Sequence, residues 1–370
     1  MEISLLAVPG ILGLTPYQPG KPIGELQREL GLERVIKLAS NENPLGASPK
    51  ALEAVRRALA ETHFYPDGSG FELKAALSER LGVEASRITL GNGSNDVLDL
   101  VARVFLAPGS NAVFSEYAFA VYPIVTRAVG ATEKVAKAHD GNTGPRYGHD
   151  LRALRNDIDE ATRVVFLANP NNPTGTFLGR AELHAFLRSL PEHVIAVVDE
   201  AYFEYLQHPD YPDALQWLDE FPRLVVTRTF SKAYGLAGAR IGYAVSSPEI
   251  ADLLNRARQP FNVNSLALAA AVAALEDDDF LASSVRANAE GLAQLESGFR
   301  RRGLDWIPSV GNFVTFDLGR PARPVFEGLL RQGVIVRPVD NYGLPNHLRV
   351  SVGTGGEIEQ FFAALDRVLT

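Results

Sequence analysis

The chain predicts an α/β fold with a mostly parallel sheet. Two observations predict it. Short, mostly apolar runs recur at 87–90, 111–114, 164–167, 194–198 and 224–226, the last three continuously apolar and rich in β-branched residues. Such runs suit strands covered on both faces. Longer amphipathic stretches separate them, and that alternation builds strand–helix–strand units. A third observation points to a site: polar residues crowd just beyond these runs, where open α/β sheets bind their ligands.

The elements follow in order. The N-terminal segment is apolar (Ile3, Leu5, Leu6, Val8, Ile11, Leu12, Leu14), but Pro9-Gly10 breaks it. It lacks a basic leader and is too short to span a bilayer. We read it as an arm packed on a neighbouring surface, such as another subunit. Residues 87–90 read as a strand, Gly91-Asn92-Gly93-Ser94-Asn95 as the turn after it, and 96–105 as a helix with Val97, Leu98, Val101, Val104 and Phe105 on its apolar positions. Four more strands follow at the runs named above. Beyond about residue 260 the texture changes: an alanine-rich helix at 264–275, a long polar helix at 285–302, strands at 312–317 and 348–352, and a closing amphipathic helix at 357–369. We assign 45–260 to a large domain, and 1–44 with 261–370 to a smaller α+β domain that carries the arm. The sequence shows no internal repeat, low-complexity tract or long linker.

Composition narrows the function. A chain of 370 residues suffices for a large core and two domains. A net charge of −8 argues against nucleic acid or an anionic membrane as partner. There is no cysteine, which excludes disulfides, thiolate metal sites and cysteine nucleophiles and is compatible with the cytoplasm. Seven scattered histidines, with no pair at metal-ligand spacing, argue against a histidine metal site.

The segment Thr227-Arg-Thr-Phe-Ser-Lys232 ends one apolar run, and Arg240 follows eight residues after Lys232. Hydroxyls at Thr229 and Ser231, a lysine and an arginine at one strand end form a cradle for a phosphate beside a reactive amine. A pyridoxal phosphate site needs that pairing, since the lysine forms a Schiff base with the aldehyde while the others hold the phosphate. A plain surface lysine is the alternative on this segment alone. Gly91 to Asp96 opens a helix, where backbone amides bind phosphate well. A dinucleotide fingerprint fails there, because Asp96 occupies the third glycine position, and no Gly-Lys-Ser/Thr supplies a P-loop. Asn169-Pro-Asn-Asn-Pro-Thr-Gly175 is a rigid turn that also places an asparagine against a ligand, with Asn172 the choice. Asp199, directly after an apolar run, is either a helix cap or the partner of a protonated pyridine nitrogen, and Tyr202 stands three residues on. Arg349 lies inside the run 348–352 and Arg337 ends another; a buried arginine needs a partner, either a structural carboxylate or a substrate anion.

In order and in register, these motifs resemble the fold-type I pyridoxal-phosphate-dependent aminotransferases, and within them the histidinol-phosphate aminotransferase family. Pro16-Tyr17-Gln18-Pro19-Gly20, Ser40-Asn-Glu-Asn-Pro-Leu-Gly46, Tyr65-Pro-Asp-Gly68, the Asn-Pro-Thr-Gly turn, Asp199-Glu-Ala-Tyr202, the lysine segment and Leu348-Arg-Val-Ser-Val-Gly353 carry the resemblance over nearly the whole chain. It implies a large domain with a mostly parallel central sheet flanked by helices, plus a smaller α+β domain. It implies that Lys232 binds the cofactor aldehyde and moves a proton, with Asp199 and Tyr202 as its catalytic partners. Asp199 keeps the ring nitrogen protonated, Tyr202 and Asn172 bond the ring oxygen, and Phe119 stacks on the ring. Ser94, Asn95, Thr229 or Ser231, and Arg240 hold the phosphate. Tyr65 reaches the phosphate of a neighbouring subunit, which implies a homodimer with composite sites. Arg349, Arg337, Tyr17 and Asn172 bind substrate. A larger aliphatic residue is usual where Ala239 stands, a difference of packing.

The implied reaction is reversible amino transfer between histidinol phosphate and 2-oxoglutarate, giving imidazole acetol phosphate and glutamate. An aminotransferase for phenylalanine or tyrosine is the alternative. A related decarboxylase shares nearly every cofactor residue. A regulatory module without turnover is disfavoured because the full set of reactive residues is present, and a nicotinamide dehydrogenase by the broken glycine fingerprint.

Overall fold

A computed structural model describes residues 3–16 and 20–370. After β1 (Ile36–Lys37), seven strands build one sheet: β2 (Ile88–Gly91), β3 (Asn111–Ser115), β4 (Thr132–Ala136), β5 (Thr162–Ala168), β6 (Ile195–Asp199), β7 (Leu224–Thr229) and β8 (Gly242–Val245). Their order across the sheet is β2-β8-β7-β6-β5-β3-β4. The five strands from β4 to β7 in that order run parallel, and β8 is antiparallel to both its neighbours.

Period-two alternation sends neighbouring side chains to opposite faces. Val165, Leu167, Val198 and Val226 pack into one core, and Val164, Phe166, Val197 and Val225 into another. Two covered faces are the reason for the continuously apolar runs. Two strands escape that signal. The Thr-Glu-Lys-Val-Ala strand β4 is an edge strand buried only at Ala136, and its charges blunt further pairing. The strand β8, Gly-Tyr-Ala-Val, carries a single β-branched residue and so does not stand out.

The alanine-rich helix expected at 264–275 spans Ser265–Leu275. It packs on helices Pro49–Ala58 and Phe71–Leu81, and its Ala267, Ala270, Ala271 and Ala274 lie in the core of the large sheet. Small side chains let the helix backbones approach closely. Its composition marks it as buried without saying against which sheet.

The remaining strands are β9 (Asp305–Ile307), β10 (Phe313–Asp317), β11 (Val334–Ile335), β12 (Arg337–Pro338) and β13 (His347–Ser351). Four form an antiparallel sheet in the order β12-β13-β10-β9, while β11 pairs in parallel with β1. Helices Asp278–Arg301, Ala322–Arg331 and Gly355–Leu369 enclose a second core, in which Phe299 stacks on Phe316 at 4.6 Å. The first of these helices begins earlier than its polar pattern indicates, at Asp278. Thr354 and Glu357 form a reciprocal capping box at the start of the last. Leu348 and Val350 enter the small core, so the alternate residues Arg349 and Ser351 of β13 face the large sheet.

The N-terminal arm lies on helix Val121–Ala128. A Cβ at Gly10 would stand 2.1 Å from the Arg127 carbonyl oxygen, and Arg127 donates to the Gly13 carbonyl at 3.3 Å. Ile3, Leu6 and Leu12 stay exposed. Among the described residues, no helix is long and apolar enough to cross a membrane.

Candidate active site

A cavity of about 200 Å³ opens at the carboxyl ends of β5, β6 and β7, roofed by the small sheet. One end of it is built for an anion. The helix Ser94–Phe105 starts immediately after β2, with Gly93 at φ 83° as its first cap. A Cβ on Gly93 would lie 2.3 Å from Arg240 Nη2, so only glycine admits the guanidinium at this place. Arg240 donates to Ser231 Oγ at 3.4 Å and to the Ala237 carbonyl at 3.1 Å. Asp96 ties the turn, accepting from the Asn92 amide at 2.8 Å and from Asn262 Nδ2 at 2.7 Å. Ser94, Asn95, Thr229, Ser231 and Arg240 all line this end.

Lys232 and Asp199 face the middle of the cavity. Lys232 Nζ donates to the Ser40 carbonyl at 3.3 Å. Burial draws this amine down to about 8, and the positive charges of Arg349 and Arg240 act in the same direction. Asp199 caps no helix. Its Oδ1 accepts from Thr227 Oγ1 at 2.8 Å and its Oδ2 from the Tyr122 hydroxyl at 3.0 Å. Burial raises its proton affinity, while those two donors and Lys232 oppose the shift.

The far wall joins the two sheets. Asn41, at φ 54°, donates to the Tyr202 hydroxyl at 2.9 Å. Its own backbone amide donates to Ser351 Oγ at 2.8 Å, so a strand of the small sheet sets the position of Tyr202. Burial pushes the Tyr202 phenol up to about 12, with Arg349 and Asn41 pulling the other way. Arg349 donates to Asn172 Oδ1 at 2.5 Å and to the Ala39 carbonyl at 2.9 Å. Arg337 is its register partner across β12 and β13, and both line the cavity. In the turn before Asn172, Asn169 and Asn171 lock the backbone: Asn169 Oδ1 accepts from the Leu178 amide at 2.8 Å, and Asn171 Nδ2 donates to Thr174 Oγ1 at 2.9 Å. Asn172 faces the cavity, as does Phe119.

The structure thus brings Ser94, Asn95, Phe119, Asn172, Asp199, Tyr202, Thr229, Ser231, Lys232, Arg240, Arg337 and Arg349 to one cavity. Tyr65 is not among them: it is 82% exposed and stacks on Phe261 at 4.8 Å. Tyr17 lies outside the described residues. Sequence reasoning missed Tyr122, Thr227, Asn41, Ser351 and Tyr342. Thr227, Asn41 and Ser351 lie within motifs already singled out, but their partners are distant in the chain, while Tyr342 lines the cavity from outside any of them. Tyr122 has no local signal.

The chain belongs to the class I and II aminotransferase family, whose model matches residues 33–367. Within it, the chain groups with the histidinol-phosphate aminotransferases. It is 74% identical over 369 residues to histidinol-phosphate aminotransferase 2 of Methylococcus capsulatus, with 100% of both chains covered. It is 62% identical over 366 residues to histidinol-phosphate aminotransferase 2 of Pseudomonas fluorescens, covering 98% of this chain and 97% of that one. The crystal structure of histidinol-phosphate aminotransferase from Sinorhizobium meliloti in complex with pyridoxal 5'-phosphate superposes with a TM-score of 0.89 at 31% identity, covering 98% of this chain and 96% of the other.

Proposed function

We propose that the chain transfers an amino group reversibly between L-histidinol phosphate and 2-oxoglutarate, giving imidazole acetol phosphate and glutamate, with pyridoxal phosphate as cofactor and in the service of histidine synthesis. The observation that carries this reading is the pair Arg349 and Arg337, side by side across β13 and β12 over the cavity that holds Lys232 and Asp199. Each substrate brings an anion besides its reacting carbon, a phosphate ester in one case and carboxylates in the other. A fixed guanidinium takes either in bidentate fashion.

The residues present fit the cofactor group by group. The glycine-lined turn at Gly93, with Ser94, Asn95, Thr229, Ser231 and Arg240, matches a phosphate. The Asp199 carboxylate matches a protonated ring nitrogen, Tyr202 and Asn172 a ring oxygen, and Phe119 a ring face. When bound, pyridoxal phosphate supplies an aldehyde that takes up the amino group and a ring that accepts the electron pair left by the α-proton. Lys232 would hold the aldehyde in the resting enzyme and, once the incoming amino group has displaced it, would as a neutral amine take the proton from the substrate α-carbon. A value near 8, against about 10.4 for free lysine, leaves much more of it neutral at physiological pH.

A homodimer completes this reading. Tyr65 and Phe261 form an exposed aromatic stack, Phe64 and Phe71 close by in the chain are exposed as well, and Phe261 adjoins Asn262, which bonds the Asp96 turn. Tyr65 of one subunit reaches from that stack to the phosphate end of its neighbour's cavity. The exposed Ile3, Leu6 and Leu12 of the arm add apolar surface to cover, and the dimer works in the cytoplasm.

The test is a steady-state assay of the cofactor-loaded protein with 2-oxoglutarate as acceptor and histidinol phosphate or phenylalanine as donor. A kcat/KM that favours histidinol phosphate supports the proposal. A clear preference for phenylalanine would show that the arginines read a carboxylate beside an aromatic ring, and would replace it.

A further inference from the structure

Asp199 is held by two neutral hydroxyls, and one of them belongs to a residue in none of the recognised motifs. Tyr122 lies in the helix Val121–Ala128 and is fully buried. Its ring stacks on Phe166 of β5 at 4.9 Å and 7°, and meets Phe119 edge-on at 5.9 Å. These two contacts fix where its hydroxyl points, onto Asp199 Oδ2 at 3.0 Å. A buried hydroxyl needs a partner, and this one meets a carboxylate whose other oxygen already accepts from Thr227.

We propose that Tyr122 is a positioning residue for the cofactor ring: its hydroxyl holds Asp199 in the orientation and the ionised form that bind a protonated ring nitrogen. The inference rests on the pyridoxal phosphate assignment above. The geometry pins the carboxylate in its plane from both oxygens, each of which keeps a lone pair for a further donor. Charge points the same way. Burial favours a neutral Asp199, and the groups that oppose it are Thr227 from β7, Tyr122 from the helix after β3, and Lys232 from the segment after β7. A neutral Asp199 would leave the ring nitrogen without its anionic partner. Tyr122 itself stays a donor across the neutral range, because burial, with the Asp199 charge beside it, holds its phenol well above the usual value. The same ring braces Phe119, so one residue couples the two groups that meet the cofactor ring at its nitrogen and at its face.

The experiment compares wild type with Tyr122→Phe, a change that keeps both ring contacts and removes only the hydroxyl. Apo protein is titrated with pyridoxal phosphate and with its 1-deaza analogue, in which a CH replaces the ring nitrogen. The variant is expected to bind pyridoxal phosphate about tenfold more weakly or worse, as suits a lost hydrogen bond to a charged group. Its affinity for the deaza analogue is expected to stay close to wild type, and kcat to fall with little change in KM for the amino donor. An equal loss for both ligands would mean that Tyr122 only packs, and would overturn the proposal, as would no loss for either. Repeating the comparison on an Asp199→Asn background supplies a second measurement: the penalty disappears if Tyr122 acts through the carboxylate and persists if it does not. Failure of the wild type to bind pyridoxal phosphate would instead defeat the cofactor assignment itself.

Discussion

Asp199 and Glu200 are consecutive acids at the end of β6, and each has a cation on or just after β7. Glu200 and Arg228 form a closed unit. Glu200 Oε2 accepts from Arg228 Nε at 3.0 Å and from Nη2 at 2.7 Å, its Oε1 accepts from the Ala214 amide at 3.0 Å, and Arg228 also donates to Asp213 at 2.7 Å. The Arg228 guanidinium lies 3.4 Å from the centre of the Phe203 ring. Burial would pull that guanidinium's proton affinity down, and Glu200 with Tyr243, Asp213 and Glu204 together more than offset it. Asp199 and Lys232 are bonded differently. The acid is held by two hydroxyls and the amine by one carbonyl, and both line the cavity. A buried ion pair that saturates itself contributes cohesion, whereas a buried acid and base held by neutral groups keep capacity for a ligand. Adjacent positions in one motif thus divide into a self-saturated pair and a pair with capacity left for a ligand, and partner saturation, not residue type, makes the division.

The comparison is broken most sharply at Lys232. Lys232→Ala is expected to lower turnover by about a thousandfold or more while the thermal melt stays near wild type; an active variant would remove the lysine from the chemistry. Arg228→Met should do the reverse. It leaves Glu200 buried without its cation and costs about 3–5 kcal/mol of stability, read in a denaturant melt, while kcat per folded molecule stays close to wild type. A stable but inactive variant would place Arg228 in the site.

Two smaller effects sharpen the contrast. Arg349→Ala should raise KM for the amino donor roughly tenfold or more, with a lesser effect on pyridoxal phosphate binding measured by titration. Equal losses would move this arginine from substrate to cofactor. In apo protein, Lys232 should react with an amine reagent half-maximally near pH 8, since only the neutral amine attacks and its affinity for the proton is lowered. Arg349→Ala removes a positive charge that lowers this value, so the midpoint should move up. A midpoint near that of surface lysines, about 10.4, would contradict the environment described for it.

Much of this was legible in the sequence where the signal is local. Apolar runs marked the central strands, and their carboxyl ends carried Asp199, Asn172, Thr229 and Lys232. Connections over distance were not legible. Asn41 and Ser351 are 310 residues apart, and Tyr122 and Asp199 are 77 apart, so no spacing announces either bond. Nor does a run of alanines say which sheet a helix covers: Ser265–Leu275 packs into the core of the large sheet, and its composition does not announce that. Glu200 looks as reactive as Asp199 until Arg228 and Asp213 are seen to occupy it.

The most direct test of the central claim is to load the protein with pyridoxal phosphate, reduce it with borohydride and map the modified residue by mass spectrometry. The account predicts a single pyridoxyl group on Lys232, beside the Asp199 that Thr227 and Tyr122 hold in place. A label on another lysine, or none, would contradict it.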